Sequence, residues 1–225
     1  MVYLLNIDTT LESAYLRLTL DGQLIASSAN HQQKDHASWI HTAIEALLNS
    51  KELTISDLSG IAVVEGPGSY TGLRVGMATA KGICYAANKP LITMNTLVTL
   101  AGSVLSLQEN LAANTLIAPM IDARRMEVFT AVYNQQLQPI MSPQALILDD
   151  TSYVSLLENN PILFCGNGAT KWKEKFPHPN ATYFLESLQP NYMDQYSFQK
   201  FNASAFANLA YSEPVYLKEF YTHPS

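Results

Sequence analysis

With 225 residues, 48% hydrophobic and 14% charged, the chain can bury a sizeable core as one domain or two related lobes, and disorder is set aside. Its 13 Lys and Arg against 19 Asp and Glu leave a formal charge of -6, which argues against a surface that grips nucleic acid through many phosphate contacts. Cys84 and Cys165 sit in apolar runs and read as buried free thiols of a reducing compartment. No apolar run reaches the roughly 20 residues of a membrane span, and the N-terminus enters a strand pattern with no signal-peptide features, so a cytoplasmic protein is expected.

Val2 to Ile7 is a nearly continuous apolar run that stops at Asp8-Thr9-Thr10, and Ala14 to Leu20 alternates as a strand does. Asp21-Gly22 joins it to Gln23 to Ser28 as a hairpin, so the chain opens with an antiparallel meander whose first strand ends on a carboxylate beside two hydroxyls. From Asp35, an N-cap residue type, Ala37, Ile40, Ile44, Leu47 and Leu48 mark one face of a helix reaching Asn49. His31, His36 and His41 lie near or on it. Residues five apart on a helix point about 140° from each other, so His36 and His41 do not form a metal pair and read as surface or interface residues.

Ile61 to Val64 is the next strand, and it runs into Glu65-Gly66-Pro67-Gly68-Ser69-Tyr70-Thr71-Gly72-Leu73-Arg74-Val75-Gly76 and a helical pattern ending at Ala87. The order of strand, glycine turn and helix suggests an anion site. Neither phosphate motif fits, because the third glycine of a dinucleotide fingerprint falls at Thr71 and no Gly-Lys-Ser/Thr follows. Nor does Gly66-Pro67-Gly68-Ser69-Tyr70 supply a nucleophile elbow, which leaves capping of the helix as the role of Ser69. Within the helix Tyr70, Leu73, Met77 and Cys84 share a face, while Gly72, Gly76 and Ala80 form an adjacent stripe at spacing four. Only Arg74 and Lys81 are charged. One side of such a helix meets its own sheet, and the small-residue stripe is expected to admit another chain closely.

Leu91 to Met94 is another strand, followed by a helix from Asn95 or Thr96 to about Leu107. Thr115 to Ile121 then ends at Asp122-Ala123-Arg124-Arg125, with Met126 to Tyr133 returning beside it, which repeats the opening in outline. Two lobes follow, residues 1–107 and 108–225. Gln135 to Pro143 reads as a loop, Thr151 to Asn159 as a short helix, Ile162 to Cys165 as a strand, and Gly166-Asn167-Gly168 as the turn into a helix over Ala169 to Lys175. The stretch punctuated by Pro177, Pro179 and Pro190 reads as irregular, and a last helix covers Ser197 to Leu209. Asp8 with Thr9, and Asp122 with Arg124, are cleft candidates. Paired strand-end carboxylates can hold a metal–phosphate, or each can cap its own hairpin. Arg124, Arg125 and Glu127 fit ion pairs or a cleft ligand equally well.

The segment Glu65 to Gly76 closely resembles the pattern E/R-G-P-G-S-[FY]-T-G-x-R-x-G of the TsaB (YeaZ) family. Asn6-Ile7-Asp8-Thr9-Thr10, Ile121-Asp122-Ala123-Arg124 with Glu127-Val128, and Glu213-Pro214-Val215-Tyr216-Leu217 agree in order. The resemblance implies an α/β fold of two lobes of the ASKHA type (actin and Hsp70-like), with mixed sheets flanked by helices. It also implies a role in forming N6-threonylcarbamoyladenosine at position 37 of tRNA. There a separate enzyme makes threonylcarbamoyl-adenylate, the TsaD subunit transfers the group, TsaB pairs with TsaD, and the TsaE ATPase joins them. TsaD-like sequences carry an H-x-x-x-H metal site at a strand-to-helix junction, whereas the comparable Thr93 to Leu100 holds no histidine or carboxylate. The expectation is therefore a non-catalytic scaffold subunit without cofactor or metal, meeting tRNA only through the complex and forming a homodimer when alone. Its interface is expected at Ser69, Tyr70, Gly72, Leu73, Val75, Gly76, Met77 and Ala80, with His36 and Ile40 of the neighbouring helix. The alternative is a stand-alone ATP- or metal-dependent enzyme using Asp8 and Asp122.

Overall fold

The structure is a computed structural model and describes residues 1–32 and 35–218. The part of the expected second lobe beyond residue 218 lies outside the described residues. Cα proximity divides the chain into two compact units, one made of Met1–Thr99 with Pro190–Val215, the other of Leu100–Gln189 with the residues from Tyr216. This division differs from the expected boundary at 107/108 with a single lobe after it. The chain returns to the first unit at Pro190 instead, because the segment after it supplies a face that the first sheet lacks.

The first unit opens with β1 (Tyr3–Asp8), β2 (Ala14–Leu20) and β3 (Gln23–Asn30), an antiparallel meander. Then come α1 (His36–Asn49), a short 3-10 turn at Ile55–Asp57, β4 (Gly60–Gly66), α2 (Tyr70–Ala87), β5 (Leu91–Asn95) and the start of α3 (Thr96–Leu105). The sheet order is β3-β2-β1-β4-β5, with β1, β4 and β5 parallel. Strand periodicity sends Leu5, Ile7, Ile61 and Val63 to one face, where they pack with Ile40, Ile44, Leu47, Met77 and Ala80 of α1 and α2. Leu4, Ala62, Val64 and Met94 go to the other. Burial on both faces explains why β1 and β4 read as continuous apolar runs rather than alternating ones.

The second unit repeats this topology. β6 (Leu116–Asp122), β7 (Glu127–Tyr133) and β8 (Pro139–Ile147) form an antiparallel meander, followed by α4 (Val154–Leu157), β9 (Ile162–Cys165), α5 (Ala169–Lys175) and β10 (Ala181–Phe184). The order β10-β9-β6-β7-β8 is the first sheet's order with every strand replaced by its counterpart. Its core gathers Met120, Val128, Tyr153, Phe164 and Trp172, and the Tyr153 ring meets both Phe164 and Trp172 edge-on at 5.2 Å.

The chain then returns to the first unit with α6 (Tyr192–Asn202), which packs Met193 against Leu4, Ala62, Val64 and Met94. Arg17, pointing to this face from β2, makes a two-pronged buried ion pair with Asp194 at 2.8 and 2.6 Å. The expected helix at Ser197 to Leu209 thus begins five residues earlier and ends at Asn202. Two strands were not expected. The loop expected over Gln135 to Pro143 holds the first part of β8, whose Pro139 and Pro143 are tolerated because it is an edge strand, and β10 has just 4 residues.

Candidate functional site

The turn after β4 is anchored to the end of β1. Ser69 N donates to the Thr10 carbonyl at 2.7 Å, and Ser69 Oγ accepts the Gly72 amide at 3.4 Å as the N-cap of α2. At the other end Asn88 closes the helix in the left-handed conformation. Asp35 does not cap α1 with its side chain. Instead its carbonyl accepts the Ser38 hydroxyl.

Gly72, Leu73, Gly76, Met77 and Ala80 are all buried within the first unit. A Cβ on Gly72 would strike the Thr9 carbonyl, and one on Gly76 would strike Thr9 Oγ1. The close approach that this glycine stripe permits is therefore to the unit's own first strand, which corrects the expectation that it faces another chain. Ile40 is likewise buried in the core. His36 is 2% exposed, with Nδ1 3.4 Å from the Asn30 amide nitrogen and Nε2 without a hydrogen-bond partner among the described residues. Ser69 and Val75 are half-buried, and Tyr70 is exposed with the Arg74 guanidinium lying 4.1 Å over its ring.

The outward face of α2 carries different residues. Thr71, Ala78, Gly82 and Tyr85 are exposed, Tyr85 at 83%, and a Cβ on Gly82 would meet nothing within 4 Å. Ala78 and Gly82 form a second small-residue pair at spacing four, turned away from the sheet. α1 packs beside α2 and exposes Ala37, Ser38, His41, Thr42, Glu45 and Ala46. The sequence held the signal for this face, since Ala78 and Gly82 break the run of larger side chains. Two small-residue stripes lie on one helix, however, and only burial tells which is outside.

The strand-end carboxylates are engaged locally. Asp8 is 6% exposed, and its Oδ1 accepts the Thr10 amide at 2.9 Å and the Thr10 hydroxyl at 2.6 Å. Burial pushes its carboxyl above the ordinary value, against those hydrogen bonds and the pull of His36. The Thr9 hydroxyl donates to the Gly72 carbonyl. In the second unit Asp122 Oδ1 accepts the Arg124 amide at 2.6 Å and pairs with Lys171 Nζ at 2.7 Å. Partial burial opposes its ionisation, and Lys171 with the Arg124 amide outweighs that, holding the carboxyl below the usual range. Lys171 lies 49 positions away, beyond any local motif. Glu127 pairs with Lys218. At the junction of β5 and α3, Asn95 Oδ1 accepts the Leu97 amide at 2.9 Å. Among the described residues no three His, Cys, Asp or Glu side chains gather to hold a metal ion.

Two five-stranded sheets of the same order, each with a first strand ending in Asp, define an α/β protein of the ASKHA type. A family model described as TsaD, tRNA N6-adenosine threonylcarbamoyltransferase, matches residues 23–214. A Bacillus subtilis protein named tRNA threonylcarbamoyladenosine biosynthesis protein TsaB is 31% identical over 174 residues, covering 76% of this chain and 73% of that one. A Haemophilus influenzae protein of the same name is 29% identical over 96% of this chain and 93% of its own length. A Pseudomonas aeruginosa crystal structure described as an uncharacterized protein with similarity to peptidase YEAZ superposes with a TM-score of 0.82 at 23% identity, over 97% of this chain and 100% of that one. The chain belongs to the TsaB (YeaZ) family of TsaD-type proteins. No described helix is long and apolar enough to cross a membrane.

Proposed function

We propose that this chain is a non-catalytic scaffold subunit of the cytoplasmic machinery that forms N6-threonylcarbamoyladenosine at position 37 of tRNA, and that it binds and activates the TsaD transferase. The TsaE ATPase joins that pair, and a homodimer through the same surface forms when TsaD is absent. The observation that carries the reading is the outward face of α2. Ala78 and Gly82 leave open space over the helix, with the aromatic Tyr70 and Tyr85 toward its two ends, so a partner helix can approach the backbone closely and still meet apolar rings.

This revises the interface expected from the sequence. Tyr70, Val75 and Ser69 remain in it. Gly72, Leu73, Gly76, Met77, Ala80, His36 and Ile40 support it from within, and Thr71, Ala78, Gly82 and Tyr85 take their place at the surface. The test is Ala78→Arg combined with Gly82→Arg, two exposed positions where the fold has room. The variant should melt no lower than the wild type and lose the heterodimer in sizing and light-scattering measurements. Reconstituted threonylcarbamoylation of tRNA should fall to the level seen without this chain. An intact heterodimer in the variant, or transfer that proceeds equally well without the chain, overturns the proposal.

A further inference from the structure

The turn from β6 to β7 contains two consecutive arginines, Arg124 and Arg125, both in the left-handed region with φ of 72° and 48°. L-residues other than Asn and Asp avoid that region, and turns that need it are commonly built from Asn-Gly or Asp-Gly. Arginine at both positions therefore runs against the backbone preference. The surroundings impose it: Asp122 Oδ1 holds the Arg124 amide at 2.6 Å, Ala123 N donates to the Glu127 carbonyl at 3.1 Å, and Glu127 N donates to the Arg124 carbonyl at 3.0 Å. An outlier conformation kept at an exposed turn points to a use for its side chains.

Both arginines are exposed, and no described residue forms a hydrogen bond or ion pair with either guanidinium. The carboxylates that flank them are already taken, Asp122 by Lys171 and Glu127 by Lys218. Among the described residues this end of the second sheet thus presents uncompensated positive charge, on a chain whose formal charge is -6.

We propose that the Arg124-Arg125 turn is a phosphate grip for an RNA backbone. A guanidinium fork matches two phosphate oxygens at once, and such contacts position a nucleic acid without reading its sequence. The inference rests on the proposed role in tRNA modification and deepens it: this subunit touches the tRNA directly, rather than meeting it only through its partner. RNA is favoured over an acidic protein segment because the proposed complex already handles a tRNA.

The experiment titrates unmodified tRNA against the full chain, alone and with TsaD, across a salt series. It compares the wild type with two double variants, Arg124→Asn with Arg125→Gly, and Arg124→Lys with Arg125→Lys. Asn-Gly suits the left-handed turn, so the first variant should melt at a higher temperature than the wild type, and weaker binding then cannot be laid to misfolding. Its tRNA affinity should fall roughly tenfold, and the slope of log affinity against log salt should drop by about two, while the dilysine variant keeps the slope. Unchanged affinity and slope in the Asn-Gly variant overturn the grip. Sizing of the same samples reads pairing separately, so pairing can stand while the grip fails. If the wild type does not pair, the scaffold reading fails, and the titration of the chain alone decides the grip by the same criterion. Loss of pairing in the Asn-Gly variant with tRNA affinity unchanged marks the turn as a protein contact and also overturns the inference.

Discussion

The Thr9 hydroxyl donates to the Gly72 carbonyl at 2.7 Å, so the end of the first strand is tied to the first turn of the long helix with no space for a Cβ between them. The same helix has open space on its opposite side, at Gly82.

Two alanine substitutions on that helix should therefore move stability in opposite directions. Gly76→Ala forces a methyl group onto Thr9 and should cost about 1–3 kcal/mol. Gly82→Ala removes a helical glycine where nothing is crowded and should add about 0.5–1 kcal/mol. Urea midpoints followed by far-UV circular dichroism check both, and a shared sign would contradict the inward and outward faces assigned here.

The Arg17–Asp194 pair should be costly to break and cheap to replace. Burial pushes the Asp194 carboxyl up, and the Arg17 guanidinium opposes that. Asp194→Ala strands a buried guanidinium and should destabilise by about 3–5 kcal/mol, whereas Arg17→Met with Asp194→Leu should recover most of the loss. Hydrogen exchange across α6 would report the single variant as early opening of that helix.

Asp8→Asn should raise stability at neutral pH. The Asp8 carboxyl is raised in the fold by burial, so its favourable contribution is complete below the unfolded value of about 3.9 and is lost as pH rises through the folded one. Asparagine keeps an oxygen acceptor for Thr10 and carries no charge. The stability gap between variant and wild type should close on acidification, and a gap that does not change with pH would contradict the burial argument.

Neither cysteine should react in the native protein. Burial pushes the Cys84 thiol up to about 11 and the Cys165 thiol up to about 12, so neither supplies thiolate at pH 8. Native protein should resist alkylation, and both thiols should label in denaturant.

The repeat of a strand ending in Asp, the opening meander, the β6–β7 hairpin and the glycine turn into α2 were legible in the sequence, because each is written in local periodicity or turn chemistry. The late part of the chain was not. Proline in β8 masks a strand that is tolerated only at a sheet edge. The inward face of α6 carries buried Asp194 and Ser197 beside Met193, so its helical period is hidden by polar residues whose partner, Arg17, lies 177 positions away. The helix stripe shows the same limit from the other side. Spacing marked Gly72 and Gly76 as sites of close approach, and they are. What approaches is Thr9, which no pattern along the helix can specify.

That distant ion pair also bears on the order in which the chain can fold. Among the described residues α6 packs Met193 over the second face of the first sheet, so a nascent chain carries an open apolar face at Leu4, Ala62, Val64 and Met94 until residues near 194 have been made. The second unit's sheet lies wholly within the intervening stretch and can form first. Completion of the first unit is thus deferred until Pro190–Val215 has been made, and a truncation before Pro190 should leave a sticky, incomplete first unit in place of a smaller working one.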